Sequence, residues 1–543
     1  MQYYKEFILN NEINETSYGK VFKKDDKYYV NINNSVNEII NNRANINDIV
    51  FININEVVGI KQRDYKNIVG ILYLDSKIKY GSIKDKSLYL FKPTNKDYTN
   101  FYVPYKNIGN VQKVYCNIQF KDWSVKDKLP LGTLMDIIGN IDNKDAEIEH
   151  LRNFYEIKNN NWKVDKNKQN EDIKKLDDLQ KKCVDYEVFS IDPEGSVDID
   201  DAFHFKKIND NDNFYEVGIH IASPYVFFKD DLKYILDRVS TVYIPGKKYN
   251  MLPNCYADNY ISLLEGQNRY AISLIIKINI DNNDITYDIK ETIVKNTKNY
   301  TYENFNMKRH NDFIKCSSDF FKNDLSDSHK LVEYWMIYAN KMIASYLIKT
   351  GVENIILRQH SENNIFSQHL QSENIISNYL KLRSENSASY VIYDKNDDVD
   401  QTHSKLGNSY YTHFTSPIRR SVDFYTHMVI LQNLTNSSNK FNIIDYLAKI
   451  NRFTKNCRKF DNKIKRLNFL YGIKELNTNI ETYGFVINIT ENKLTLYIPE
   501  HNLEEKVIII NNKTYELYQK VNIKLWVFTS FENFFDKLKV EII

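Results

Sequence analysis

Cysteine is scarce in this chain and forms no pattern. The five residues Cys116, Cys183, Cys255, Cys316 and Cys457 are odd in number, far apart and never in CxxC spacing. That argues against a disulfide framework and a cysteine-built zinc site, and for a reducing, intracellular compartment. Leader and anchor signals are also missing. MQYYKEFILNNEINE has no basic segment followed by an apolar one, and no uninterrupted apolar run reaches the ~18 residues of a membrane span. The expectation is a soluble, unprocessed protein with no membrane partner, in the cytoplasm, with the nucleus left open. Charge of one sign is lacking too. Lys and Arg total 73 against 71 Asp and Glu, a formal net charge of +2, so a nucleic-acid partner would have to be held by local basic patches. What is present is an apolar fraction of 42% and an aromatic fraction of 14%, as in a folded protein. At 543 residues the chain is too long for one core and should hold three or four domains.

Alternation in YGKVF, KYYVNI and DIVFININ predicts a compact β unit over residues 1–62, and IVGILYL, SLYLFKP, TNFYVPY and KVYCNIQF predict a second. Both read as small barrels. From Trp123 to Tyr155, LPLGTLMDIIG and AEIEHLRNFYEI shift to helical spacing, and KNNNWKVDKNKQNEDIKK reads as a polar linker closing a 63–170 domain. Strands such as YEVGIHIA and AISLIIKINI then mix with helices such as LVEYWMIYANKMIASYLIK and DFYTHMVILQNL over 171–475, an α/β body. In the first of these helices Leu331, Tyr334, Trp335, Tyr338 and Met342 share one face. Short strands at regular spacing over 476–543 predict a third barrel. The fold class is multidomain α+β, a central α/β domain flanked by all-β barrels.

The most informative stretch is FSIDPEGSVDIDDAFHF, residues 189–205, with Asp192, Asp198, Asp200 and Asp201 inside ten residues. Carboxylates this close repel unless solvated or neutralised by a cation, and hard divalent ions take oxygen ligands. Ile191, Val197, Ile199, Ala202, Phe203 and Phe205 belong in an interior, which places the acids at the edge of a core. On a strand Asp198 and Asp200 would point together, roughly 6.6 Å apart. Such a cluster could hold two Mg²⁺ ions about 3.5–4 Å apart, an arrangement used to cleave phosphodiesters. It could also be a structural cation site or a solvated acidic turn. A second constellation, YYTHFTSPIRRSVDFYTHM, runs into a helix that Pro417 can open. Thr412, His413, Thr415 and Ser416 offer donors, and Arg419 and Arg420 add fixed charge, a set suited to phosphate oxygens. A capped helix with a surface arginine pair fits equally well. Lys455, Arg458, Lys459, Lys463 and Arg466 share another helix face, which could track an RNA backbone or simply be solvated.

Taken together, DPEGSVDIDDA followed by YTHFTSPIRR resembles the signature of the RNase II / RNase R superfamily, which includes the exosome's hydrolytic exoribonuclease. VGIHIA, TVYIPGKKYNMLP, ISLLEGQNRYAISL, KNYTYENF, ILRQH and HSKLGNSYYTHF lie between them in that family's order, and the resemblance covers about three hundred residues. The flanks match its layout of two cold-shock-type OB barrels, a central RNB catalytic domain and one S1-type OB barrel. FKDWSVKDKLPLGTLMDIIGN looks most like the eukaryotic, exosome-type branch, with no N-terminal endonuclease domain expected ahead of the first barrel.

The resemblance implies a processive 3′→5′ exoribonuclease that hydrolyses single-stranded RNA to nucleoside 5′-monophosphates. Asp192, Asp198, Asp200 and Asp201 would hold two Mg²⁺ ions, with Mn²⁺ as a substitute. Asp200, Asp201 and Arg419 would be catalytic, Arg419 against the scissile phosphate. Tyr243 and Tyr302 would stack on bases, and His413, Thr415, Ser416 and Arg419 would complete the RNA contacts. A monomer is expected, its protein partners unspecified. The chain departs from the family pattern at Ser223 (HIASP for HIADV), at Ser421 after the arginine pair, at Tyr334, and after His360 in RQHSEN. An inactive RNA-binding scaffold of the same fold is the alternative.

Overall fold

The computed structural model describes residues 17–543 apart from short stretches, the longest being 107–111, 179–185, 361–374, 380–387 and 529–536. The chain divides into two compact units, residues 1–156 with 459–543, and residues 157–458.

In the first unit, strands of alternating side chains build three sheets. Ser17–Lys24, Lys27–Ile32, Ser35–Ile39, Ile49–Asn53 and Glu56–Gln62 line up in the order third, second, first, fourth, fifth. A parallel bridge, Ile40 to Glu56, joins the outer edges. Val21, Val30, Val50, Ile52 and Val57 point inward as the core. The C-terminal sheet, from Ile480–Thr490 to Leu538–Ile542, repeats that strand order. Between them in sequence lies a six-stranded sheet, Ile68–Tyr73 to Leu131–Asn140, around Leu72, Phe91, Phe101, Val103 and Ile118.

One expectation fails here. PLGTLMDIIG is a strand, not a helix, and it pairs with Lys113–Asp122 through three register shifts. Each shift resets the in-out alternation, so the apolar spacing imitates a helical period. The helical expectation holds for Lys144–Phe154, where Asn143 accepts from the Ala146 N–H at 3.0 Å.

That helix buries Glu147, 1% exposed, beneath the Tyr115 hydroxyl, which donates to its carboxylate at 2.9 Å. Burial pushes the carboxyl up from 4.5 to about 7. The folded protein therefore favours the protonated acid. Below pH 4.5 both states are protonated and nothing is lost; stability falls as pH rises from there to about 7, by about 3 kcal/mol for a difference of that size. Glu147→Gln keeps an acceptor for Tyr115 and is expected to flatten this slope. Melting curves from pH 4.5 to 8 would show it, and a slope unchanged in the variant would refute the assignment.

In the second unit, Val188–Asp192, Asp201–Lys207, Phe214–Ala222, Asn268–Asn279 and Asp284–Thr301 form a closed barrel, sealed by parallel pairing of its first and last strands. Strands covered on both faces read as near-continuous apolar runs, hence GIHIA and AISLIIKI. Phe313 of the helix Asn311–Phe321 packs on Phe189, Phe203 and Phe205 of the barrel. In the helix Ser328–Lys349, Leu331 and Trp335 are buried as expected, but the buried stripe continues through Ala339, Ile343 and Leu347. Tyr334 and Tyr338 lie beside it, their rings against Phe321 and Phe320.

Lys166–Asp178 is a helix running across the expected boundary near residue 171. Its buried Asp172 pairs with two lysines of the same helix, Lys168 at 2.9 Å and Lys175 at 2.8 Å, and the helix docks where the Tyr256 hydroxyl donates to that carboxylate at 2.8 Å and Lys168 Nζ donates to Phe227 O at 2.6 Å. A helix docked through hydrogen bonds carries little apolar signal, so its composition reads as linker. Cys116, Cys255, Cys316 and Cys457 are unpaired. Among the described residues no helix is long and apolar enough to cross a membrane.

Candidate active site

The acidic motif folds as two strand ends around a tight turn. Asp192 closes the strand Val188–Asp192 and Asp201 opens Asp201–Lys207. Gly195 takes φ +76° in the turn between them, where a side chain would be strained. Asp198 and Asp200 do not share a strand face as predicted, because residues 197–200 lie outside any strand. Tertiary bonds hold them instead. The Ile199 N–H donates to Ser262 Oγ at 2.9 Å, the Leu263 N–H to Ile199 O at 3.0 Å, and the Ala222 N–H to Asp200 O at 2.8 Å. Ile199 enters the core as expected, while Val197 is 44% exposed.

These constraints send the acids to different partners. Asp200, 3% exposed, accepts from the Ile418 N–H at 2.9 Å and from Arg419 Nε at 3.1 Å. Asp198 accepts from the Tyr243 hydroxyl and, at 3.2 Å, from Lys248 Nζ. Asp192 Oδ2 is buried with no hydrogen-bond partner. Burial above all, aided by Asp198, pushes Asp192 up to about 6. Burial pushes Asp200 up to about 7 despite Arg419, and burial with the charges of Asp192 and Asp200 holds Asp201 well above the usual carboxylate range.

Among the described residues no group of three or more His, Cys, Asp or Glu side chains is already arranged to hold a metal ion. The donor chemistry nevertheless fits a hard cation. An unpartnered buried carboxylate oxygen and mutually repelling acids are both relieved by a divalent charge.

Arg419 belongs to the second motif, which runs as a turn into the helix Ser421–Leu434. Pro417 sits in that turn and not in the helix, whose N-cap is Arg420. Arg419 Nη2 donates to Ser416 Oγ at 2.8 Å, and 42% of the arginine side chain is exposed. The neighbouring hydroxyls expected to meet phosphate are engaged within the protein. Thr412 donates to Ile356 O at 2.7 Å, Thr415 accepts from Asn340 Nδ2 at 3.4 Å, and His413 Nδ1 pairs with the Tyr390 hydroxyl at 2.7 Å. Burial first, then nearby arginines, keeps His413 neutral. Buried polar atoms must find partners, and in a segment this buried they find them inside.

Tyr243 is 48% exposed despite its bond to Asp198. Tyr302 lies beside the acids, its N–H donating to Asp192 O at 3.2 Å and its ring stacked on His329 at 3.8 Å. Burial, then the charges of Asp201 and Asp192, push its hydroxyl up to about 12. On the basic helix Lys455, Arg458 and Lys459 are exposed, but Arg466 is tied to Glu505 at 2.6 Å.

Two residues that the sequence analysis passed over hold the arginine loop. Asp423, fully buried, accepts from the Ser416 N–H and from Arg420 Nη2, both at 2.8 Å. Asn340 accepts from the Phe414 N–H at 2.8 Å and donates to the Tyr411 hydroxyl at 3.0 Å. The available signal was a lone acid and a lone amide on otherwise buried helix faces. Of the departures from the family pattern, Ser223 and Ser421 are fully buried, each with an unpartnered hydroxyl, and Tyr334 accepts from Asn323. His360 Nδ1 meets Ser404 Oγ at 2.6 Å, while residues 361–363 lie outside the described residues.

Comparison with known proteins bears on the fold and the family. The RNB domain family matches residues 176–313 and 307–436, and the Dis3-like cold-shock domain 2 family matches residues 88–155. The DIS3-like exonuclease 2 of Schizosaccharomyces pombe is 23% identical over 84% of this chain, which spans 60% of that relative's length. Mycoplasma genitalium RNase R, solved with ribose-methylated single-stranded RNA, superposes with a TM-score of 0.72 at 16% identity, covering 97% of this chain and 100% of that one. Yeast Ssd1, a pseudonuclease, superposes with a TM-score of 0.68 at 15% identity, covering 94% of this chain and 82% of that one. The chain carries the RNB domain of the family that includes RNase R and the Dis3-like exonucleases. Its particular make-up within that family is a Dis3-like cold-shock domain followed by the RNB domain.

Proposed function

We propose that the protein is a metal-dependent, processive 3′→5′ exoribonuclease that hydrolyses single-stranded RNA to nucleoside 5′-monophosphates. The observation that carries this reading is the Asp200–Arg419 pair, which joins the two motifs across 219 positions and sets a cation donor among the acids. Asp192, Asp198, Asp200 and Asp201 would hold two Mg²⁺ ions, or Mn²⁺ in their place. Bound there, such ions would supply activation of water and neutralisation of charge on the phosphodiester.

The protein's own groups do the rest. Asp200 fixes Nε of Arg419 and Ser416 fixes Nη2, which orients the guanidinium so that its remaining edge can face a phosphoryl oxygen as charge builds. Tyr243 and Tyr302 flank the acids and offer rings for base stacking, roughly 1–3 kcal/mol per base without sequence preference. RNA as the partner is supported by the single-stranded RNA bound to the RNase R structure named above.

Release of mononucleotides from a 5′-labelled, unstructured RNA in Mg²⁺, leaving one short labelled remnant, is the expected result. A deoxyribose oligomer of the same sequence should persist. A second reading, an inactive RNA-binding scaffold, is favoured by two observations: the described acids form no ready metal site, and a pseudonuclease shares the fold. RNA binding with no release of nucleotides in Mg²⁺ or Mn²⁺ would establish it and reject the enzyme.

A further inference from the structure

The hairpin formed by Val242–Ile244 and Lys247–Tyr249 pairs Tyr243 directly with Lys248. Cross-strand partners point to the same side, and both side chains reach one carboxylate, Asp198. Lys248 does not serve Asp198 alone. Its Nζ also donates to Asp258 Oδ1 at 2.7 Å, closer than the 3.2 Å to Asp198. Asp258 lies on the single π-turn Tyr256–Tyr260 and is the more exposed acid, 33% against 11% for Asp198.

An ammonium on a flexible stem is a point charge with three donors, so it can leave one carboxylate and stay on the other. A divalent ion and an ammonium cannot share one carboxylate at close range without strong repulsion. We propose that Lys248 is a tethered counter-cation: it neutralises Asp198 while no metal is bound and withdraws to Asp258 when one binds, so that the Lys248–Asp258 pair sets metal affinity. The proposal rests on the reading of Asp198 as a metal ligand. An arginine could not play this part equally well, because its rigid fork would bind the carboxylate at two points and yield less readily.

The test is equilibrium binding of Mn²⁺ to the full chain, followed by the loss of the free-ion electron paramagnetic resonance signal, without RNA. Lys248→Met keeps the aliphatic stem and is expected to tighten binding about five- to tenfold, the scale of a partly screened ion pair. Lys248→Arg should weaken it. Asp258→Asn should weaken it in the wild type and have no effect in the Lys248→Met background, because Asp258 acts through the lysine. Unchanged or weaker binding in Lys248→Met overturns the proposal, as does an Asp258→Asn effect that persists without the lysine. If Mn²⁺ binding is lost in Asp200→Asn but indifferent to Lys248, only this inference falls. If no variant binds Mn²⁺, the metal reading falls with it.

Discussion

Asp200→Asn is expected to lower nucleotide release by on the order of 10²–10³-fold, the scale on which removing one pre-organised group acts in an active site, while RNA affinity stays within about threefold. The asparagine oxygen can still accept from the Ile418 N–H, so the backbone contact survives. The carboxylate charge that faces Arg419 Nε at 3.1 Å is lost, and the guanidinium loses the partner that orients it. RNA affinity should persist because stacking and surface charge do not pass through Asp200. The measurement pairs single-turnover release with fluorescence anisotropy of a 5′-labelled RNA. Activity within tenfold of wild type would remove Asp200 from the chemistry; a parallel loss of affinity would make it a structural residue.

Asp423→Ala should produce the largest loss of stability, about 3–5 kcal/mol, as when one partner of a buried ion pair is deleted. The change strands the Arg420 guanidinium and leaves the buried Ser416 N–H without its acceptor. Asp423→Asn restores the acceptor but not the charge and should recover part of the difference. Chemical unfolding of the three proteins gives the ranking. Activity should fall with stability, since Ser416 also receives Arg419 Nη2. Equal stability of the alanine variant and the wild type would contradict the clamp.

How far the sequence carried the site is clearest at Asp192, Asp198, Asp200 and Asp201. Their crowding among apolar residues pointed to a charged edge of a core, and the strands that carry Asp192 and Asp201 pair with each other. The sequence did not reveal that Asp198 would be held by a hairpin 45 positions away and Asp200 by a loop 218 positions away. Periodicity reports only which face of an element a residue occupies, and these four sit where elements end. The same limit explains PLGTLMDIIG, where bulges broke the period, and Lys166–Asp178, where hydrogen bonds to Tyr256 and Phe227 replaced an apolar stripe.

The sequence by itself determined the β units, the buried strands of the central body and the order of its motifs, because burial imposes a local pattern of apolar side chains. It also determined that acids and arginines gather in two short motifs. The tertiary structure alone decided the partners: Arg419 on Asp200, Asp423 under the arginine loop, and Thr412, His413 and Thr415 turned inward. A hydrogen bond or ion pair between distant segments depends on where closure of the chain brings them, and no short-range pattern encodes that distance.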